Sequence, residues 1–236
     1  MEKYFIGIDS GTSGIKAVLF DLKGNEIGQK SFPLKGIFPR EDMYEEDMLE
    51  IWDKAVKCVK TVTEAFPDKE VVGIGITAQG DGLWMVDENM EPVRNGCCFC
   101  DGRAAKIVDR WVEDGTFDKL FEITGTRIFT GNQNGIVKWM EEHEPENLDK
   151  SRWLLHLKDY LFYRFTGKVT TDATDQSLIF LDQNKRDYLD ETFKICGIEK
   201  YKDKSNDDQI IGHFGLGFYS CLLYTSPSPR DGLLSR

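Results

Sequence analysis

The chain contains no apolar run approaching the roughly 18 residues that a bilayer crossing needs. Glu2 and Lys3 lead straight into a strand-like segment, with no apolar leader stretch. These absences predict a cytoplasmic protein with no membrane partner. Basic residues are also in deficit: 30 Lys and Arg against 41 Asp and Glu leave a net charge of −11. Nucleic-acid binding needs clustered cations to neutralise phosphates, so no nucleic-acid partner is expected. The histidines His143, His156 and His213 are few and scattered. No second pair at ligand spacing follows Cys97-Cys98-x-Cys100, so these residues, with Cys58, Cys196 and Cys221, are expected to be buried free thiols rather than zinc ligands. No Gly-x-x-x-x-Gly-Lys-Ser/Thr loop occurs, and the glycine order at Gly212, Gly215 and Gly217 is wrong for a dinucleotide turn. No internal repeat is visible.

What remains is an ordinary globular composition, with 40% apolar and 30% charged residues in 236. That length can bury a sizeable core. The first 31 residues read as three successive strands, and two prolines, Pro33 and Pro39, mark a loop after them. From Glu46 the apolar residues Met48, Ile51, Trp52, Ala55, Val56, Val59 and Val62 recur at helical spacing until Pro67. Val71 to Thr77 then reads as a buried strand and Leu83 to Val86 as another. Helices are predicted at 103–113, 117–123, 136–142 and 158–165. This order suits an α/β layered domain with a mixed sheet flanked by helices.

The most informative stretch is Asp9-Ser10-Gly11-Thr12-Ser13-Gly14-Ile15-Lys16, set between two predicted strands. Small residues let backbone N–H groups approach an anion. Thr12 and Ser13 add hydroxyl donors, Lys16 a positive charge, and Asp9 a carboxylate suited to the hydration shell of Mg²⁺. An ordinary polar hairpin turn is the competing reading.

This motif resembles the first phosphate motif of the sugar kinase, heat-shock and actin superfamily. Later blocks narrow the resemblance to the FGGY carbohydrate kinases. Val72-Gly73-Ile74-Gly75-Ile76-Thr77-Ala78-Gln79-Gly80-Asp81-Gly82 is similar to that family's strand and substrate loop. Phe99-Cys100-Asp101-Gly102-Arg103-Ala104 resembles its aromatic-x-Asp-x-Arg-Ala element. Lys158-Asp159-Tyr160-Leu161, Phe165-Thr166-Gly167 and Thr171-Asp172-Ala173-Thr174-Asp175 follow in the family's order. The likeness covers roughly residues 3–200.

The resemblance implies a ribonuclease-H-like fold, incomplete here, and transfer of the γ-phosphoryl group of ATP to a sugar or polyol hydroxyl. Asp9 would sit near Mg²⁺ through water, with Gly11, Thr12, Ser13 and Lys16 on the phosphates. Gln79, Gly80 and Asp81 would form the substrate loop, since a carboxylate can accept from two vicinal hydroxyls. Gln-Gly-Asp-Gly with Trp84 close behind is nearer to the erythritol-kinase and L-xylulose-kinase branch than to the Gln-Arg-Glu or Gln-Met-His of glycerol and D-xylulose kinases. The implied substrate is a four- or five-carbon ketose or polyol. Asp101, Arg103, Asn132 and Gln133 are further expected sugar contacts. The bland alternatives are a solvated turn acid for Asp81, an N-cap at Asp101 with Arg103 on the surface, and turn or helix-start amides at Asn132, Gln133 and Asn134. Trp84 reads as core, and Lys158, Asp159, Asp172 and Asp175 as structural. Relatives are often homodimers, but no interface stripe is legible.

Two departures from the family qualify this. Residues 210–220 look instead like a chaperone's glycine-rich nucleotide lid, followed by a stretch like translated adapter DNA. The expected division is therefore a kinase N-terminal domain at 1–204 and a foreign tail at 205–236. The family's catalytic Asp and second domain find no match, so the chain as written is expected to release no ADP above an enzyme-free blank. A non-catalytic sugar-binding or interaction protein on half of the fold is the alternative.

Overall fold

The structure, a computed structural model, describes residues 2–171, 175, 180–182 and 187–205. Asp172, Ala173, Thr174, His213, Cys221 and the segment 206–236 lie outside the described residues, and so do the expectations attached to them.

Strands β1 (Glu2–Gly11), β2 (Gly14–Asp21) and β3 (Glu26–Pro33) form an antiparallel meander. Two residues, Thr12 and Ser13, join β1 to β2. The Asp21–Asn25 turn joins β2 to β3, with the Asp21 carboxylate accepting from the backbone N–H groups of Lys23 and Asn25, both at 2.8 Å. Helix α1 (Met48–Glu64) then crosses back to β5 (Lys69–Ala78), which pairs parallel with β1. The sheet order is β3-β2-β1-β5. Asp47 caps α1, its Oδ1 accepting from Leu49 N at 2.8 Å and Glu50 N at 3.1 Å. The face bearing Met48, Ile51, Ala55, Cys58 and Val62 packs against Ile6, Ile8, Ile15 and Leu19 of the sheet.

A second apolar cluster lies beyond the sheet. It is built on α2 (Ala105–Glu113), α3 (Thr116–Thr124) and α4 (Gln133–His143), and centres on Ile107, Trp111, Leu120, Ile136 and Met140. Helix α5 (Pro145–Lys150) and helix α6 (Leu157–Thr166) follow, α6 packing on β5. Helix α7 (Asp190–Ile195) returns Phe193 to the second cluster. Short strands stitch the two halves: β4 (Glu45–Glu46) with β7 (Gly96–Cys97), and β6 (Trp84–Val86) with β8 (Trp153–Leu155).

Three expectations need correction. Strand β5 is not buried: only Ile76 is, while Val72 and Ile74 are 41% and 39% exposed. Its apolar run resembles that of a central strand, but topology makes it the edge of the sheet. Helix α2 begins at Ala105 rather than at 103, because Gly102 N turns to donate to Asp42 O at 2.7 Å. Among the described cysteines Cys58, Cys97, Cys98 and Cys196 are buried free thiols, but Cys100 is exposed, being past the strand end. Trp84 is core, as read.

Candidate active site

The phosphate-type hairpin is held from behind. Gly11 stands opposite Gly14, and Asp9 opposite Lys16 on one side and Thr77 of β5 on the other. A Cβ at Gly14 would lie 2.9 Å from the carbonyl oxygen of Phe32, so the neighbouring strand requires a glycine there. The Ser13 carbonyl accepts from Leu34 N at 3.1 Å, and that of Thr12 from the Tyr44 hydroxyl at 3.2 Å. Asp9 and Ser13 are exposed, while Gly11, Thr12 and Lys16 are half-buried. The five residues expected to meet phosphate therefore share one sheet end.

The loop after β5 lies beside this hairpin, since Gln79 N donates to Ser10 O at 2.8 Å. Asp81 and Gly82 both adopt left-handed backbone, with φ of 55° and 77°. That conformation is strained for an aspartate. It turns the Asp81 carboxylate toward Asn132, whose Nδ2 donates to Asp81 Oδ1 at 2.6 Å, while Asn132 Oδ1 accepts from Phe129 N at 2.7 Å. Gly82 N donates to Gly131 O at 2.9 Å. Backbones pack directly here: a Cβ on Gly82 would sit 2.4 Å from Cys97 O, and one on Gly131 would sit 1.6 Å from Phe99 O. The sequence-separated segments Gln79-Gly80-Asp81 and Asn132-Gln133 thus meet in one place. Gln133 is buried and spends its Nε2 on Leu155 O at 3.0 Å. Phe99 and Phe129, 38% and 39% exposed, present two aromatic rings at the rim.

Asp101 and Arg103 are not at the surface, and Asp101 does not cap α2. Both side chains are fully buried in an ion-pair cluster. Arg103 Nε donates to Asp101 Oδ1 at 2.8 Å and its Nη2 to Glu45 Oε1 at 2.5 Å. Arg94 also donates to Glu45, and to Glu144 at the end of α4. Asp101 Oδ2 accepts from Tyr44 N at 2.7 Å. Tyr44 is the residue whose hydroxyl holds the hairpin, so the cluster acts on the site by fixing its walls.

Sequence reasoning missed two buried groups. Glu46, beside Glu45, accepts at Oε2 from Gln79 Nε2 at 2.8 Å, and burial pushes its carboxyl up to about 7. His156, at the start of α6, is 1% exposed with neither ring nitrogen hydrogen-bonded. Burial opposes its charge, but the carboxylates of Asp159, Asp175 and Asp81 outweigh that and raise its affinity for a proton. Ligand atoms of His156, Asp159 and Asp175 lie within 4.8 Å of one another. Lys158 already enters this group as a cation, with Nζ 2.5 Å from Asp159 and 3.3 Å from Asp175. Asp81 is itself raised, mainly by burial. No signal short of the fold marks either missed group: Glu46 reads as one more acid ahead of a helix cap.

Residues 4–202 match the model of the FGGY family of carbohydrate kinases, N-terminal domain. The chain is 36% identical over 169 residues to the L-xylulose/3-keto-L-gulonate kinase of Escherichia coli K12, covering 71% of this chain and 34% of that one. It is 30% identical over 200 residues to the erythritol kinase of Brucella abortus, covering 84% and 38%. The chain therefore spans little more than a third of the length of these relatives. Among solved structures, the ligand-bound xylulose kinase from Lactobacillus acidophilus superposes with a TM-score of 0.80 at 23% identity, covering 89% of this chain and 41% of that one. The expected ribonuclease-H-like architecture, incomplete relative to these proteins, is the one observed.

Proposed function

Since the chain belongs to the FGGY family of carbohydrate kinases, we propose that residues 1–204 are the sugar-binding part of an ATP-dependent kinase. Its acceptor would be a hydroxyl of a four- or five-carbon ketose or polyol of the xylulose or erythritol kind. The observation that carries this reading is the Asp81–Asn132 pair, held by a strained loop beside the phosphate-type hairpin. A left-handed aspartate costs free energy, and a carboxylate aimed at a ligand would account for that strain.

In this reading Asp81 accepts from two neighbouring hydroxyls, and Asn132 fixes its orientation. Phe99 and Phe129 cover the apolar face of the sugar. Thr12, Ser13 and Lys16 meet phosphate oxygens at the adjoining hairpin. Asp9 suits the water shell of Mg²⁺, because the residue is exposed and its carboxylate has no hydrogen-bond or ion-pair partner among the described residues. Bound there, Mg²⁺ would neutralise charge on the phosphoryl group in transfer. Asp101 and Arg103 belong to the supporting wall rather than to the sugar. A cytoplasmic location, a homodimer of the intact enzyme and a foreign tail at 205–236 are parts of the same proposal.

The test is calorimetry of the chain with xylitol, erythritol and L-xylulose. Binding of at least one, abolished in Asp81→Asn, supports the reading. Failure of all three to bind a folded chain would overturn it.

A further inference from the structure

Glu45 and Glu46 are consecutive residues of β4, 3% and 1% exposed, with opposite electrostatic surroundings. Glu45 takes two guanidinium groups, from Arg94 and Arg103. Among the described residues Glu46 takes no cation. The ionisable groups facing it are Tyr44 on its own segment, Glu50 from the first turn of α1, and Cys98 and Cys100 from the segment after β7. None of them is positive. A buried carboxylate without a cation is costly unless it is neutral.

The hydrogen bonds show how it becomes neutral. Glu46 Oε2 accepts from Gln79 Nε2, and Glu46 Oε1 has no partner. Gln79 Oε1, on the same amide, has no partner either. Two orphaned acceptors thus sit on two groups already joined at 2.8 Å. A single proton satisfies both, because a carboxylic acid donates once and accepts once, as a carboxamide does. An unprotonated carboxylate would leave Gln79 Oε1 bare and Glu46 with only the weak Cys98 thiol donor beside it.

We propose that Glu46 and Gln79 form a closed carboxylic acid–carboxamide pair, with Glu46 Oε1–H donating to Gln79 Oε1, so that Glu46 is a positioning residue for the loop Gln79–Gly82. The proton comes from water and returns to it. Burial, the largest influence on the Glu46 carboxyl, keeps it protonated up to about neutral pH. Above that, loss of the proton replaces an O–H···O bond by two facing acceptors, and Gln79 keeps its amide donation to Glu46 Oε2 and its backbone bond to Ser10 but loses the second arm of the pair. The consequence for ligand affinity rests on the sugar-binding reading of this loop; the proton pair does not.

Two measurements on the full chain test the pair without any sugar. Difference infrared spectra of wild type against Glu46→Gln should show a protonated-carboxyl band at pH 6 that disappears by pH 8.5. Hydrogen exchange, corrected for its intrinsic pH dependence, should show protection of the Gln79 and Gly82 amides falling about tenfold over the same interval. Glu46→Gln, which replaces acid–amide by amide–amide, should keep that protection at both pH values. Absence of the band at pH 6 overturns the pair. A band with pH-independent protection of the loop overturns the positioning role. Should Glu46→Gln prove unstable, the wild-type pH series decides both points. Sugars that fail to bind while the band and the protection behave as stated would refute the sugar-site reading and leave this inference standing.

Discussion

The backbone N–H of Gln79 donates to the carbonyl of Ser10 at 2.8 Å, and this bond joins the loop that follows β5 to the hairpin that follows β1. It extends the parallel β1–β5 pairing by one step beyond Ala78. The two segments are far apart in sequence, and the proposed function gives them different chemistry, hydroxyl recognition on one and anion recognition on the other. A single ladder sets their spacing. A rigid sheet end fixes such a distance better than two free loops would, and phosphoryl transfer depends on that distance.

Asp81→Asn keeps an oxygen for Asn132 but removes the charge that draws two hydroxyl donors. Affinity for the best-binding polyol or ketose should fall at least about tenfold, since hydrogen bonds to charged groups contribute roughly 1.5–3 kcal/mol. The thermal midpoint should hold or rise, because a buried charge in a strained turn is being relieved. Calorimetry and a melting curve on the same sample check both.

Gly82→Ala and Gly80→Ala make a matched pair. At Gly82 the new Cβ meets Cys97 O at 2.4 Å with φ at +77°, whereas Gly80 has nothing within 4 Å and ordinary φ. Urea denaturation should show Gly82→Ala losing several kcal/mol, on the order of 2–4, and Gly80→Ala changing by under about 0.5. Equal effects would refute the close backbone packing at Cys97.

Arg103→Ala leaves Asp101 without its cation in a buried site and Glu45 with Arg94 alone. The expected loss is about 3–5 kcal/mol. Arg110→Ala breaks an exposed pair with Glu142, and should cost no more than about 1 kcal/mol. Equilibrium unfolding of the two variants side by side reads the difference.

The Glu46 carboxyl, raised from 4.5 to about 7 by burial, makes stability depend on pH. The folded chain binds more protons than the unfolded one between these values, so its contribution to stability is fully present below about pH 4.5 and is lost as pH rises through 7. The full swing is about 3 kcal/mol at most. Midpoints of urea unfolding at pH 5.5 and pH 8 should differ in wild type, and the difference should shrink in Glu46→Gln, the raised His156 and Asp81 supplying what remains.

Much of this was legible in the chain. The three-strand meander, α1 with its Pro67 stop and the burial of Trp84 follow from local pattern alone. Asp9 to Lys16 carry enough small and polar residues to mark themselves, whereas Gln79 to Asp81 stand out through the family resemblance. The exposed face of β5 was not legible, because alternation describes a strand's own residues and not its place at the edge of a sheet. The Arg103–Glu45 pair spans distant segments and leaves no local trace, so Arg103 read equally well as a surface residue. Strands β4 and β7 hold two residues each, too few to have a period. Glu46 takes its character from what their pairing buries it among, Gln79, Glu50 and Cys98, which lie apart in sequence.

Cys100 offers a practical opening. It is the one exposed thiol among the described cysteines, and it follows Phe99, whose carbonyl oxygen abuts Gly131. Partial burial pushes its thiol up, so conjugation runs best under mildly alkaline conditions. An environment-sensitive fluorophore attached there would stand at the aromatic rim of the loop pair. Occupancy of the site could then be followed by emission, without enzymatic turnover.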